Sequence, residues 1–223
     1  MIGELYIRKF EDGKVDKLDN IAYHTHQTKK LGKISDELNS YINEFDMFVK
    51  DWNFKHSSGI FDMANHILFS EPQYYQLIHF HLMDKLEELK DKKIYEFGFG
   101  CGSYLHVLDQ MGANVSGCDM RDCNIKFINE YFDLDVHYNQ AVNDLIKRDE
   151  KFDAIVSMNT MMADTVDYQE CKDIIDECAK RTDLIINSGI TSVYTGELYE
   201  REGWKVTEYY YYIEKTIVME KIK

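Results

Sequence analysis

Along the first third of the chain, apolar residues recur at helical spacing. Ile34, Leu38, Tyr41, Ile42, Phe45, Phe48, Val49 and Trp52 follow one another mostly three or four apart, lining one face of an amphipathic helix. A second helix is expected over 61–69. Ser70-Glu71-Pro72-Gln73 then supplies an N-cap serine, a proline in the first turn and a glutamine three residues on, so a third helix is expected from there to about Lys90. Ahead of these, Leu5-Tyr6-Ile7 and Val15 to Leu18 flank Glu11-Asp12-Gly13, a reversal signal that predicts a short hairpin over 4–18.

After Lys93 the texture changes to short apolar runs alternating with helical stretches, the pattern of βαβ units on a parallel sheet. The expected strands are Ile94–Phe97, Asn114–Cys118, Asp135–Tyr138, Phe152–Met158 and Asp183–Asn187, and the expected helices Gly102–Met111, Asp122–Tyr131, Val142–Lys147 and Tyr168–Lys180. Two β-rich runs, Gly203–Tyr212 and Lys215–Lys221, follow closely and should pair antiparallel. The four tyrosines Tyr209 to Tyr212 would alternate between the two faces of their strand. The chain thus divides into a mostly helical amino-terminal cap, 1–90, suited to selecting a substrate, and an α/β domain, 91–223, with a mostly parallel sheet.

A length of 223 residues supports one sizeable domain with a smaller appendage. The 26 Lys+Arg against 40 Asp+Glu leave a net charge of −14, a field that repels a polyanion and disfavours nucleic acid as partner. The five cysteines show no CxxC spacing, which removes zinc-ribbon and iron–sulfur readings. His24-x-His26 falls in an expected loop, and His79-x-His81 on a helix, where side chains two apart point away from each other; neither pair is read as a metal site. No run of apolar residues is long enough for a transmembrane helix and the amino terminus carries no leader pattern, so a cytoplasmic setting without membrane contact is expected.

The chemistry concentrates in Tyr95-Glu96-Phe97-Gly98-Phe99-Gly100-Cys101-Gly102-Ser103-Tyr104, between the first strand and first helix of the α/β domain. Alternating glycines there let the main chain turn sharply and approach a ligand, and a carboxylate beside them can accept from an amine or a hydroxyl. The dinucleotide fingerprint would need glycine at position 103, which is Ser103, and no Gly-Lys-Ser/Thr follows for a phosphate-binding loop. A nicotinamide-dependent enzyme is the weakest of the readings retained.

This segment resembles the first motif of the class I S-adenosylmethionine-dependent methyltransferases, an acidic residue followed by Gly-x-Gly-x-Gly, matched by Glu96, Gly98, Gly100 and Gly102. Further pieces follow in that family's order. The resemblance implies a Rossmann-like, mostly parallel seven-stranded sheet with an antiparallel carboxy-terminal strand pair, and S-adenosyl-L-methionine as cofactor. It implies that Asp119, ending the second strand, takes the ribose hydroxyls, that Met120 packs on adenine, and that Asn139 to Leu145 faces the adenine edge through Gln140 and Ala141. Gln140 stands where the family usually has aspartate, yet an amide can accept from an amino group and donate to a ring nitrogen. The run Phe152 to Asn159 resembles the fourth strand, which ends beside the transferred methyl group, but Met161-Met162-Ala163 replaces the Leu-Glu-His of many relatives.

For catalysis this leaves Asn159 to orient the acceptor and His66 as a general base, with Tyr75 contacting the methionine end of the cofactor. Cys101, Cys118 and Cys123 are read as packed or loop thiols rather than nucleophiles. Pro72 is the only proline, so family branches that need one elsewhere, the Pro-Pro-aromatic DNA amino-methylating enzymes and the Pro-Cys cytosine enzymes, are subtracted. The expectation is methylation of a small-molecule acceptor at oxygen or nitrogen. Two rivals are an aminopropyl-type transferase on the same fold, and a cofactor-binding subunit or methyltransferase acting on RNA or protein.

Overall fold

The computed structural model describes residues 5–11, 14–18, 40–41, 44–56, 71–158, 160, 167–190, 198–211 and 214–222. The amino-terminal hairpin is present as β1 (Leu5–Glu11) and β2 (Lys14–Leu18), antiparallel, with Ile7 opposite Leu18. Helices α1, over 44–55, and α2 (Glu71–Leu86) follow. The chain then alternates through β3 (Lys93–Phe97), α3 (Ser103–Gln110), β4 (Asn114–Asp119), α4 (Asp122–Tyr131), β5 (Asp135–Tyr138), α5 (Ala141–Arg148), β6 (Ala154–Met158), α6 (Tyr168–Ala179) and β7 (Leu184–Ile190). It closes with β8 (Trp204–Tyr211) and β9 (Glu214–Lys221).

All these strands join one sheet in the order β2-β1-β8-β9-β7-β6-β3-β4-β5. β3 to β7 run parallel, and β9 and β8 return antiparallel. The seven expected strands are therefore there, with the mostly parallel core and the antiparallel carboxy-terminal pair. The hairpin extends them to nine, because β1 pairs antiparallel with β8, Ile7 opposite Tyr209. The chain leaves β3 outward through β4 and β5, then crosses back to β6 on the other side of β3. That reversal opens a crevice beyond the carboxyl ends of β3 and β6, where open α/β sheets take their ligands.

Alternation along each strand builds the two halves of the core. Ile94, Val156, Ile186 and Val218 face one helical layer, while Tyr95, Ile155, Ile185 and Ile217 face the other. Burying each such aliphatic side chain contributes about 1.5–3 kcal/mol.

Of the apolar stripe predicted over 34–52, Phe45, Val49 and Trp52 are buried and Tyr41 and Phe48 half-buried, while Ile34, Leu38 and Ile42 lie outside the described residues. Phe45 stacks on Phe132 at 5.6 Å and meets Phe127 edge-on, and Trp52 meets Phe127 at 90°. Helix α1 is thus fastened to α4 by aromatic rings. The expected helix over 61–69 lies outside the described residues.

Helix α2 stops at Leu86 rather than near Lys90. Glu87 adopts a left-handed φ of 64°, and the chain turns so that Leu89 enters the core at 3 % exposure. The charged run over 85–93, expected to continue the helix to about Lys90, is mostly a turn leading into β3. No helix among the described residues is long and apolar enough to cross a membrane.

Candidate functional site

The turn leaving β3 is built on left-handed glycines, Gly98 at φ 64° and Gly100 at φ 59°. Gly98 N–H donates to the Cys118 carbonyl at 2.7 Å, carrying the β3–β4 ladder one step beyond Phe97. Gly102 N–H donates to Phe99 O at 2.9 Å, and α3 begins directly after. The glycines answer different needs. A Cβ on Gly98 would lie 2.2 Å from Thr160 Oγ1, whereas a Cβ on Gly100 would meet nothing within 4 Å among the described residues. Gly100 therefore presents bare main chain to open space.

Asp119, at the end of β4, is 7 % exposed and clasps this turn. Its Oδ2 accepts from Gly100 N–H at 2.9 Å, and its Oδ1 accepts from Arg121 N–H at 2.8 Å and Asn124 Nδ2 at 3.0 Å. Burial pushes its carboxyl above the usual carboxylate range, partly offset by the Arg121 and Gly100 amides and by Asn124. A carboxylate offers about four lone-pair sites, so Oδ2 retains capacity for a hydroxyl donor. Glu96, one residue before the end of β3, is 1 % exposed. Burial and then the charge of Glu96 raise the Tyr104 phenol well above its ordinary value, and the Tyr104 hydroxyl lies 3.5 Å from His79 Nδ1 on α2.

Beyond Asp119, Met120 is 60 % exposed although apolar. Gln140 occupies the N-cap of α5, its Oε1 accepting from Asn143 Nδ2 at 3.1 Å while its own N–H donates to Asn139 Oδ1. Ala141 is half-buried behind it. This segment rests on a buried ionic network. Asp144 is wholly inaccessible, accepts from Tyr95 Oη at 2.9 Å and Arg148 Nε at 2.6 Å, and lies 2.9 Å from His137 Nδ1. Burial raises its carboxyl, but hydrogen bonds from Arg148, His137 and Tyr95 outweigh that and hold it below the usual range. Arg148 also bonds Asp135 at 2.5 Å, so β5, α5 and β3 are tied together beneath Gln140.

The carboxyl ends of β3, β4 and β5 thus bring Glu96, Gly98, Gly100, Gly102, Asp119, Met120, Gln140 and Ala141 to one rim. A pocket of about 340 Å³ opens beside it between Gln140–Asn143 and Asp167–Ile174. A larger depression of about 560 Å³ lies at the opposite, amino ends of the strands, lined by Phe152, Arg181, Leu184 and Glu220. Size alone does not mark the site. Asn159, His66 and the histidine pair at 24 and 26 lie outside the described residues, as does the side chain of Tyr75. His79 and His81 do point apart, His79 toward Tyr104 and His81 against the Tyr209 ring at 4.1 Å. Among the described residues no group of His, Cys, Asp or Glu is placed to hold a metal ion. Burial pushes the Cys118 thiol up to about 12, which removes it as a nucleophile at neutral pH.

Two features escaped the sequence. The Asp144–Arg148–His137–Tyr95 network assembles from three elements, and only Asp144 and Arg148, four apart on α5, are neighbours in sequence. Thr160 Oγ1 lies 2.9 Å from Met158 O, 3.1 Å from Gly98 O and 3.4 Å from Phe97 O, a contact across 62 positions that no local pattern signals.

By sequence, no protein-family model and no curated protein matches the chain. By structure it is similar to a ribosomal protein L11 methylase from Lactobacillus delbrueckii subsp. bulgaricus, with a TM-score of 0.56 and 17 % identity over 70 % of this chain and 81 % of that one. It is likewise similar to magnesium protoporphyrin IX methyltransferase from Synechocystis PCC 6803 with bound S-adenosylmethionine, at 0.52 and 16 % over 78 % and 96 %. TehB from Haemophilus influenzae gives 0.52 and 16 % over 73 % and 66 %. These likenesses establish the class I methyltransferase fold.

Proposed function

We propose that the chain is an S-adenosylmethionine-dependent methyltransferase acting on a small molecule at oxygen or nitrogen. The observation that carries this reading is the clasp of Asp119 on Gly100 at the point where the strand order reverses. It leaves bare main chain and a buried carboxylate facing the crevice, with the apolar Met120 exposed beside them. These residues suit a nucleoside: Asp119 for the ribose hydroxyls, Met120 for one face of adenine, Gln140 and Ala141 for its edge, Glu96 and Tyr75 for the amino-acid end. The magnesium protoporphyrin IX enzyme of the same fold holds this cofactor, which supports the assignment.

When bound, S-adenosylmethionine supplies a methyl group already activated by the sulfonium. The chain's own residues then have three tasks: to hold the acceptor in line, to exclude water and, where the acceptor needs it, to take a proton. Asn159 is assigned to orientation and His66 to the proton. The carboxylates of Glu96 and Asp119 suit a cationic ligand. The net charge of −14 favours a small acceptor over a polyanion. Proteins of this fold include a methylase of a ribosomal protein and one of a porphyrin, so the fold alone leaves the acceptor open. Residues 1–90 are assigned to acceptor selection, in a cytoplasmic enzyme.

The test is incubation of the protein with methyl-labelled S-adenosylmethionine and a metabolite extract, followed by mass spectrometry. Label in a small molecule supports the reading. Label in RNA or protein supplied in parallel incubations, or transfer of an aminopropyl group when decarboxylated S-adenosylmethionine is given as donor instead, replaces it with one of its rivals.

A further inference from the structure

We infer that Thr160 is a positioning residue for the cofactor turn, holding Gly98 from the β6 side as Asp119 holds Gly100 from the β4 side. The inference rests on the cofactor reading above and concerns how this chain shapes the turn before any ligand arrives.

The β3–β6 ladder ends at Glu96 opposite Val156, and beyond that pair the crevice opens. Past the last pair, the carbonyls of Phe97, Gly98 and Met158 converge on the Thr160 hydroxyl at 3.4, 3.1 and 2.9 Å. The hydroxyl has a single proton to share among them, so it bridges the ends of β3 and β6 where main-chain pairing has run out. Loss of the proton leaves partly buried carbonyls facing each other, and the cheapest relief is for the glycine turn to move.

Gly98 is complementary to this bridge. A Cβ at 98 would lie 2.2 Å from Thr160 Oγ1 and 2.3 Å from Cγ2, closer than real side chains approach. The motif's first glycine therefore makes room for Thr160, while Gly100 makes room for the ligand. With Gly98 N–H on Cys118 O and Gly100 N–H on Asp119, the turn is fixed at both glycines and on both neighbouring strands. Such preorganisation lowers the ordering cost of binding.

The test compares wild type, Thr160→Val, which keeps the shape without the proton, and Thr160→Ser, which keeps the proton. Equilibrium dialysis with labelled S-adenosylhomocysteine measures affinity, and amide exchange of Gly100 without ligand measures the turn. The expected result is about tenfold weaker binding and faster Gly100 exchange in Thr160→Val, with Thr160→Ser close to wild type. Unchanged exchange in Thr160→Val overturns the inference, as does equal weakening by serine and valine. If wild type does not bind S-adenosylhomocysteine, the cofactor reading falls, and the exchange data alone decide whether Thr160 holds the turn.

Discussion

Asp119 Oδ2 accepts the Gly100 backbone N–H at 2.9 Å, so a carboxylate at the end of one strand holds the turn that leaves its neighbour. Because the same side chain also holds Arg121 N–H and Asn124 Nδ2, replacing it by asparagine turns an amide N–H₂ toward one of three donors. Asp119→Asn should lower stability by about 1.5–3 kcal/mol, read from the urea midpoint at constant slope. An unshifted midpoint means that the clasp does not hold the turn.

The two glycines should separate stability from binding. Gly98→Ala forces a Cβ into Thr160 in addition to the left-handed strain of about 1–2 kcal/mol, so its melting temperature should fall well below that of Gly100→Ala, which carries the strain alone. Gly100→Ala fills the open space over the turn and should lose S-adenosylhomocysteine binding while staying folded. Equal melting temperatures for the two variants contradict this division of labour.

Asp144 is the wholly buried partner of Arg148, whose side chain is 5 % exposed. Removing the carboxylate strands that guanidinium, a cost of about 3–5 kcal/mol for a buried pair, moderated here because Asp135 still bonds Arg148. Asp144→Ala should therefore destabilise by about 3 kcal/mol in chemical denaturation. A loss below about 1 kcal/mol means the network beneath Gln140 is incidental.

Buried imidazoles make the fold sensitive to acid. Burial lowers His79 to about 4, and burial together with the Lys85 charge lowers His81 to about 3; burial also lowers His106, against opposing pull from Glu44 and Asp109. Above about pH 6.5 these groups are neutral in both folded and unfolded chains and contribute no pH dependence. As pH falls below that value the unfolded chain takes up protons that the folded one refuses, so stability declines with falling pH, toward about 4 for His79 and 3 for His81. Melting temperatures between pH 7 and 4.5 should drop, and His81→Phe, which keeps the ring against Tyr209, should flatten part of that slope. A slope unchanged in His81→Phe contradicts the assignment.

What the sequence made legible was local. Alternating glycines after Glu96 and the acid ending the next strand are marks of backbone geometry and strand order, and they fall where expected. Most strands of the parallel core were readable because they carry short runs buried on both faces, wholly so in Ala154–Met158, whereas the edge strand Asp135–Tyr138 buries only Val136. The end of α2 was not, because Glu87, Glu88 and Lys90 all favour helix while the burial of Leu89, a tertiary effect, ends it. The hairpin over 5–18 was visible, but its union with β8 pairs position 7 with position 209 and leaves no local trace. Thr160 and the Asp144 network share that character: each is made by side chains meeting across the sheet.

In the proposed function, the turn over Gly98–Gly102, held by Asp119, binds the nucleoside of S-adenosylmethionine. Calorimetric titration with S-adenosylhomocysteine tests it most directly, on wild type and on a variant combining Asp119→Ala with Gly100→Val, checked as folded by circular dichroism. Saturable one-to-one binding by wild type and none by the variant is the expected result. No binding by wild type, or the same affinity in both, contradicts it.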